Sequence, residues 1–378
     1  MGRVRKTRTT LADGRELIYF DDSEPYVSGA ATRELVDSRT LPPAMSFSQR
    51  RFDVLTGEWV VIAAQRMDRT FLPPPGASPL APSRPGIPSE IPAVDYDVVV
   101  FENRFPALAT VAGRPDLPSH IDNEPLWPSA PAGGRCEVVC FTSDPDTDFA
   151  ALPTDRVRTV VDVWADRTTE LSALPGVRQV FVFENRGREI GVTLAHPHGQ
   201  IYAFPFLPPR TGTLIGRARS HFEDTGRLLQ RDVLDAERRS GRRVVRSAEH
   251  WTAYVPAAAR WPLEVHLAPH RDVHDLAELD GPERDELAHI YRELLRRVDR
   301  FFDEPDAPYP APVPYIAAWH QAPVGDDRRF GRLYLQLFSL MRSPGRLKYL
   351  AGTESAVGAW INDTTPERIA DRLRELAS

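Results

Sequence analysis

Cysteine is nearly missing from this chain: Cys136 and Cys140 are the two present in 378 residues. So small a supply excludes a disulfide scaffold and points to a reducing, cytoplasmic setting. Hydrophobic runs of membrane-spanning length are missing too. The basic opening MGRVRKTRTTLADGRELIYF has no continuous apolar stretch, and Lys6 stands where a myristoylation signal has Ser or Thr. A soluble protein is expected, with no membrane partner. There is no long basic stripe either. Lys plus Arg number 47 against 53 Asp plus Glu, a net charge of −6, which argues against nucleic acid as a main partner. With 42% hydrophobic and 26% charged residues the chain is globular in composition, and it can form two modest domains or one domain built from two similar halves.

Proline, by contrast, is abundant. Eight prolines between Pro73 and Pro92 exclude a helix or a central strand there and predict an extended surface loop, ordered because Arg66 and Arg69 before it and residues 97–101 after it read as structural. Upstream, residues 11–20 predict a short hairpin around Asp13-Gly14, followed by a polar arm or loop to about Met45. Residues 58–62, EWVVI, form the first well-marked strand.

Two stretches of the chain repeat one another. Glu137-Val138-Val139-Cys140-Phe141 and the later Asp148-Phe149-Ala150-Ala151-Leu152 are matched by Glu264-Val265-His266-Leu267-Ala268 and Asp275-Leu276-Ala277-Glu278-Leu279, both at an offset of 127 positions. A helical stripe follows each: Val157, Val160, Val161, Trp164, Leu171 and Leu174 in one copy, Leu287, Ile290, Leu294, Val298 and Phe301 in the other. Each helix leads to a strand, at 179–183 and 314–319. The chain therefore reads as two copies of a strand, helix, strand unit. A last helix is predicted after Thr364-Thr365-Pro366-Glu367, which has a capping-box spacing and an early proline.

The copies differ at the string His196-Pro197-His198-Gly199-Gln200, where the second copy has Leu333-Tyr334-Leu335-Gln336-Leu337. Strand alternation puts His196, His198 and Gln200 on one face, and Pro197, which has no N–H for a ladder, predicts an edge or interrupted strand. An imidazole is mostly unprotonated at neutral pH, so His198 can attack phosphorus without a partner base, provided an acceptor such as a backbone carbonyl holds its other nitrogen. Gln200 can donate its amide to a phosphate oxygen. The competing reading makes one histidine structural and the other a metal ligand. A catalytic half and a scaffold half follow.

These strings, with LTGEWVVIA, VVVFENRFPAL, RCEVVCF, VFVFENRG, EHWTAYVP, AAWHQAP and RLKYLAGTE, resemble the galactose-1-phosphate uridylyltransferase family, a branch of the histidine-triad superfamily, from about Phe52 to the C-terminus. The resemblance implies an α+β fold of duplicated histidine-triad-like halves, mostly antiparallel sheet with flanking helices. It divides the chain into an arm (1–45), a first half with the nucleophile motif (46–205) and a degenerate second half (206–378). It implies that His198 takes a uridylyl group from UDP-glucose and passes it to galactose 1-phosphate or a related hexose 1-phosphate, with Gln200 and His196 assisting. Arg66, Arg69, Asn103, Asn185, Gly191 and Thr193 correspond to nucleotide and phosphate contacts, Arg forks suiting diphosphate oxygens. Lys348 and Glu354 do so too, and in a homodimer with shared sites they would serve the neighbouring subunit. Family members often hold a structural zinc through a Cys-x-x-Cys pair, a histidine after the CF strand and the first motif histidine. Here Ser78, Ala81 and Pro145 replace three of these, leaving His196. A second metal site is reduced to His320, with Leu333 and Leu335 in place of an HxH pair. No cofactor is expected, and apolar packing with Pro79, Pro82 and Pro145 is expected to fix the loop. His266, His270 and His274 read as surface or core residues. The alternatives are UTP as donor in a specialised pathway, or a catalytically silent nucleotide-binding paralogue.

Overall fold

The repeated Glu-Val segments become two equivalent strands of one sheet. The computed structural model describes residues 3–33, 36–44, 48–68, 73, 78–109, 117–303 and 312–377. In chain order its strands are β1 (Arg5–Thr10), β2 (Glu16–Asp21), β3 (Gln49–Asp53), β4 (Glu58–Ile62), β5 (Val98–Glu102), β6 (Ser129–Pro131), β7 (Arg135–Cys140), β8 (Gln179–Arg186), β9 (His198–Phe204), β10 (Val244–Ser247), β11 (Trp251–Tyr254), β12 (Leu263–Pro269), β13 (Tyr315–His320) and β14 (Tyr334–Ser339). The helices are α1 (Thr154–Ser172), α2 (Pro209–Thr225), α3 (Leu229–Ser240), α4 (Gly281–Asp299), α5 (Gly352–Val357) and α6 (Pro366–Glu375).

An eleven-stranded sheet runs β1-β2-β5-β7-β9-β8-β13-β14-β12-β11-β10, and a smaller one runs β4-β3-β6. Neighbouring strands in both are antiparallel. The order is palindromic about its centre: β7-β9-β8 in the first half mirrors β12-β14-β13 in the second, and the halves join where β8 pairs with β13. The duplication extends to local chemistry. Asp148 accepts from the Ala151 N–H at 2.9 Å, and Asp275, at the equivalent place, accepts from Ala277 and Glu278 N–H at 3.0 and 3.2 Å, so each caps a short 3-10 turn.

The predicted stripes of α1 and α4 face inward together. Val157, Val160, Val161, Trp164 and Leu171 share one hydrophobic core with Leu287, Ile290, Leu294 and Val298. Trp164 stacks on Phe149 (5.9 Å) and meets Trp319 of the other half (5.9 Å), so the two units are cemented by aromatic contact as well as by the sheet.

Several local expectations are corrected. The hairpin around Asp13-Gly14 begins earlier, because Arg5–Thr10 is itself a strand. The proline-rich loop is not purely superficial: Leu80 and Ile91 are buried in an apolar cluster with Tyr96 and Cys140, and the Ser89 hydroxyl donates to Ala81 O (2.5 Å). The final helix is capped by Thr365, which accepts from Arg368 N–H at 3.3 Å; Pro366 takes the first helical position, so the register is one residue later than the Thr364–Glu367 spacing implied. Finally, β9 is central rather than an edge strand: it starts after Pro197 and lies between β7 and β8.

Candidate active site

Because β9 begins at His198, alternation along it directs His198, Gln200 and Tyr202 to one face and buries Gly199, Ile201 and Ala203 on the other. The first three line a cavity of about 420 Å³, whose floor is completed by Phe183 and Asn185 of β8, Val138 of β7 and Phe101 of β5. Residues 103–105 form one wall, 190–194 a second, and Pro79, Leu80 and Glu90 of the proline-rich loop a third. The volume falls within the usual range for small-molecule sites.

His198 is held in one tautomer. Its Nδ1 lies 2.8 Å from the carbonyl oxygen of His196. A carbonyl can only accept, so Nδ1 carries the proton and Nε2 keeps its lone pair. Burial lowers the His198 pKa below the usual histidine value, partly countered by that backbone hydrogen bond, so the ring is neutral at physiological pH. Tyr202 donates its hydroxyl to Gln200 Oε1 (3.3 Å), which occupies the carboxamide oxygen and leaves its NH2 as the group a ligand can use.

Of the expected contacts, Arg66, Asn103, Asn185, Gly191 and Thr193 all line this cavity. Arg66 Nη1 donates to Phe105 O (2.9 Å) and Asn103 Oδ1 accepts from Phe105 N–H (2.9 Å), so each is anchored by the wall it stands on. Gly191 ends a 3-10 turn at φ +81°, a left-handed conformation that favours glycine. Arg69 lies outside the described residues. Lys348 and Glu354 do not join the cavity. Lys348 is buried near Arg260 O (3.4 Å), donates to Ile361 O and pairs with Glu354 at 3.4 Å.

His196 departs from the expected geometry. It precedes the strand, is buried and does not line the cavity: its Nε2 lies 2.8 Å from Thr142 O and 2.8 Å from the Tyr96 hydroxyl. Burial depresses its pKa to about 4. Pro197 is the physical reason: it breaks the alternation on which a shared face for His196 and His198 depended. His266, His270 and His274 have separate partners in Glu264, Thr252 and Gly331.

Sequence reasoning missed Tyr202, Phe183, Arg104 and Tyr96. Tyr202 could have been found by extending the alternation from Gln200 by one step, and Phe183 by the same step back from Asn185. Arg104 sits in the string ENRFPAL beside Asn103 and reaches the cavity with its side chain 43% exposed. No local pattern marks Tyr96.

Both halves of the chain resemble known proteins. Residues 40–208 match the model of "Galactose-1-phosphate uridyl transferase, N-terminal domain", and residues 215–378 match that of the C-terminal domain. The chain belongs to the galactose-1-phosphate uridyl transferase family. A galactose-1-phosphate uridylyltransferase from Streptomyces lividans is 45% identical over 99% of this chain and 98% of its own length. One from Thermotoga maritima is 35% identical over 86% of this chain and 97% of its own length. A solved uridylyltransferase structure superposes with a TM-score of 0.74 at 29% identity, covering 87% of this chain and 98% of that one. The α+β fold of antiparallel sheet and flanking helices is thus that of the galactose-1-phosphate uridyl transferases, and the chain is a transferase.

The residues at the two family metal positions do not fit a metal. At His196 Nε2 faces the Thr142 carbonyl and so bears the proton, which leaves the buried, unpartnered Nδ1 as the nitrogen with a lone pair, and replacement of the other ligands by Ser78, Ala81 and Pro145 leaves it no partners for a tetrahedral set. At the second position His320 Nε2 faces Gln336 Oε1 (3.2 Å), an orientation fixed because the Gln336 amide donates to Glu264 at 2.6 Å. His320 also stacks on Tyr334 (4.6 Å). Leu333 and Leu335 are buried in the core. Among the described residues no group of three His, Cys, Asp or Glu could hold a metal ion.

Proposed function

We propose that this chain transfers a uridylyl group from UDP-glucose to galactose 1-phosphate, or a related hexose 1-phosphate, by double displacement through His198. One observation carries the reading: the 2.8 Å bond from His198 Nδ1 to the His196 carbonyl, which leaves Nε2 as a neutral nucleophile in a cavity with Arg66, Asn103, Asn185 and Gln200.

In the first half-reaction Nε2 attacks the α-phosphorus of UDP-glucose. An N–P bond forms, the bond from phosphorus to the bridging oxygen breaks, and glucose 1-phosphate leaves with that oxygen. In the second, a phosphate oxygen of the hexose 1-phosphate attacks the same phosphorus, the N–P bond breaks, and the pair returns to the imidazole. The Gln200 amide and the Arg66 guanidinium stabilise charge growing on the phosphoryl oxygens. Asn103 and Asn185 serve the nucleoside, and Gly191 and Thr193 the sugar-phosphate wall. Neither half-reaction uses a metal, and His196 positions rather than attacks.

We assign residues 46–205 to the catalytic half, 206–378 to the scaffold half and 1–45 to an arm whose hairpin extends the main sheet. We further propose a cytoplasmic homodimer in which the segment bearing Lys348 and Glu354 serves the neighbouring cavity. The two buried free thiols fit the reducing compartment, and the exposed Tyr349, Leu350 and Val357 supply apolar surface for the contact.

The test is exchange of labelled glucose 1-phosphate into UDP-glucose with no acceptor present. Double displacement requires it; direct transfer and a binding-only paralogue both fail it. Exchange with UTP and pyrophosphate alone would keep the histidine mechanism and replace the donor.

A further inference from the structure

Three segments that a zinc ion would join in other members of the family are linked here through one phenol and one imidazole. Tyr96 is almost wholly buried, 3% exposed, and its hydroxyl lies 2.8 Å from Leu80 O in the proline-rich loop and 2.8 Å from His196 Nε2. The same nitrogen lies 2.8 Å from Thr142 O, just past β7. The donors can be counted. Leu80 O and Thr142 O can only accept, so the phenol donates its hydrogen to Leu80, and the single His196 Nε2–H is shared between Thr142 O and the phenol oxygen. Each hydrogen is used, and loop, strand end and nucleophile motif are linked in one chain.

The chain continues to the nucleophile. Fixing the His196 ring fixes its backbone, and the carbonyl of that backbone is the acceptor that sets the His198 tautomer. Leu80, at the other end of the phenol bridge, lines the cavity wall. We propose that Tyr96 is a positioning residue that does the linking a zinc does in other members of the family, holding the wall of the cavity and the tautomer of His198 in register. The inference rests on His198 being the nucleophile.

The predicted order of effects follows from where the hydroxyl acts. Tyr96→Phe keeps the ring packed against Leu80 and Ile91 but deletes the bridge, so the fold should survive while the carbonyl that orients His198 loosens. Loss of a group that orients a metal-ligating histidine typically costs about one to two orders of magnitude, and the same scale is expected for an oriented nucleophile. We expect glucose 1-phosphate exchange at saturating UDP-glucose to fall about 10-fold or more, with the KM for UDP-glucose within about twofold of native. Ser89→Ala is the structural control: it removes a hydroxyl from the same loop, bound to Ala81 O, without touching His196, and should lower the melting temperature while leaving exchange unchanged.

The decisive measurement does not depend on activity. In protein labelled with nitrogen-15 at histidine, long-range proton–nitrogen spectra read the tautomer of each ring, and His198→Ala identifies the His198 signals. Native protein should show His198 protonated at Nδ1 and His196 at Nε2, with Tyr96→Phe shifting His198 to a mixture. An unchanged His198 tautomer in Tyr96→Phe, or one zinc per chain in native protein whose removal by a chelator shifts the His196 ring-nitrogen signals, overturns the proposal. Missing exchange in native protein that shows the expected tautomers counts against the uridylyl-transfer reading instead, and the two failures are thereby told apart.

Discussion

Gly199 lies between the proposed nucleophile and Gln200, and replacing it by alanine should damage stability and turnover together. No unusual backbone angle demands glycine at this strand position; space does. A Cβ would stand 2.8 Å from Phe141 Cζ, 3.4 Å from its Cε1 and 3.1 Å from the carbonyl oxygen of Phe183. The Phe141 ring cannot retreat, since it is wholly buried and set edge-on against Phe149 (4.8 Å) and Trp164 (6.3 Å). Phe183 O belongs to the neighbouring strand. The added methyl is therefore relieved by displacing β9 toward the cavity, which moves His198 and Gln200. Overpacking of this kind costs about 1–3 kcal/mol, and a shift approaching 1 Å in a reacting group costs on the order of 100-fold in rate. Urea denaturation should show a lower midpoint at unchanged m-value, and single-turnover loading of His198 should slow. Phe141→Leu removes the ring edge that the methyl meets, so Gly199→Ala combined with Phe141→Leu should be less damaging than the sum of the two, with a coupling of about 0.5–3 kcal/mol. A Gly199→Ala protein within about 0.5 kcal/mol of native stability, or strictly additive double-mutant energies, would refute the packing argument.

Other outcomes follow from the same geometry. His198→Ala should abolish glucose 1-phosphate exchange, while His196→Asn should be milder, as intact-protein mass spectrometry under alkaline quench would also show by the presence or absence of a uridylylated species. The proposed attack needs the neutral His198 ring, and burial lowers its pKa, so activity should be lost only as pH falls through a value below that of an ordinary histidine. A pH profile of kcat/KM for UDP-glucose with an acid limb above 6.5 would contradict this. Thr365→Ala removes the α6 cap bond to Arg368 N–H and should cost about 1 kcal/mol in denaturant titration with no change in exchange.

The internal repeat made much of the fold legible. Its two apolar stripes became α1 and α4, and the strand that carries His198 in one copy and leucines in the other became β9 and β14. What escaped did so for physical reasons. RKTRTT shows no apolar alternation because β1 is an edge strand, where charge blunts further pairing. Helices α2 and α3 were not foreseen; few of their residues are buried, so their apolar stripes are thin. In the site, His198 and Gln200 were legible from alternation, but the direction of His196 depended on where the strand began, which Pro197 decided. Tyr96 was invisible because its partners, the Leu80 carbonyl and the His196 ring, are brought to it only by tertiary structure.

The seam between β8 and β13 also governs how the chain can be made. β8 carries Phe183 and Asn185 into the cavity, yet one of its two hydrogen-bonding neighbours, β13, is translated only after α2, α3 and α4 have emerged. Until then the segment QVFVFENR is a bare sheet edge with an apolar run at 180–183, unlike the charged outer edge at β1, and such an edge invites pairing with other nascent chains. The half that lacks the HPHGQ string thus acts as a covalently tethered guard for the half that has it. Severed from it, residues 46–205 would be left with an aggregation-prone margin running alongside β9.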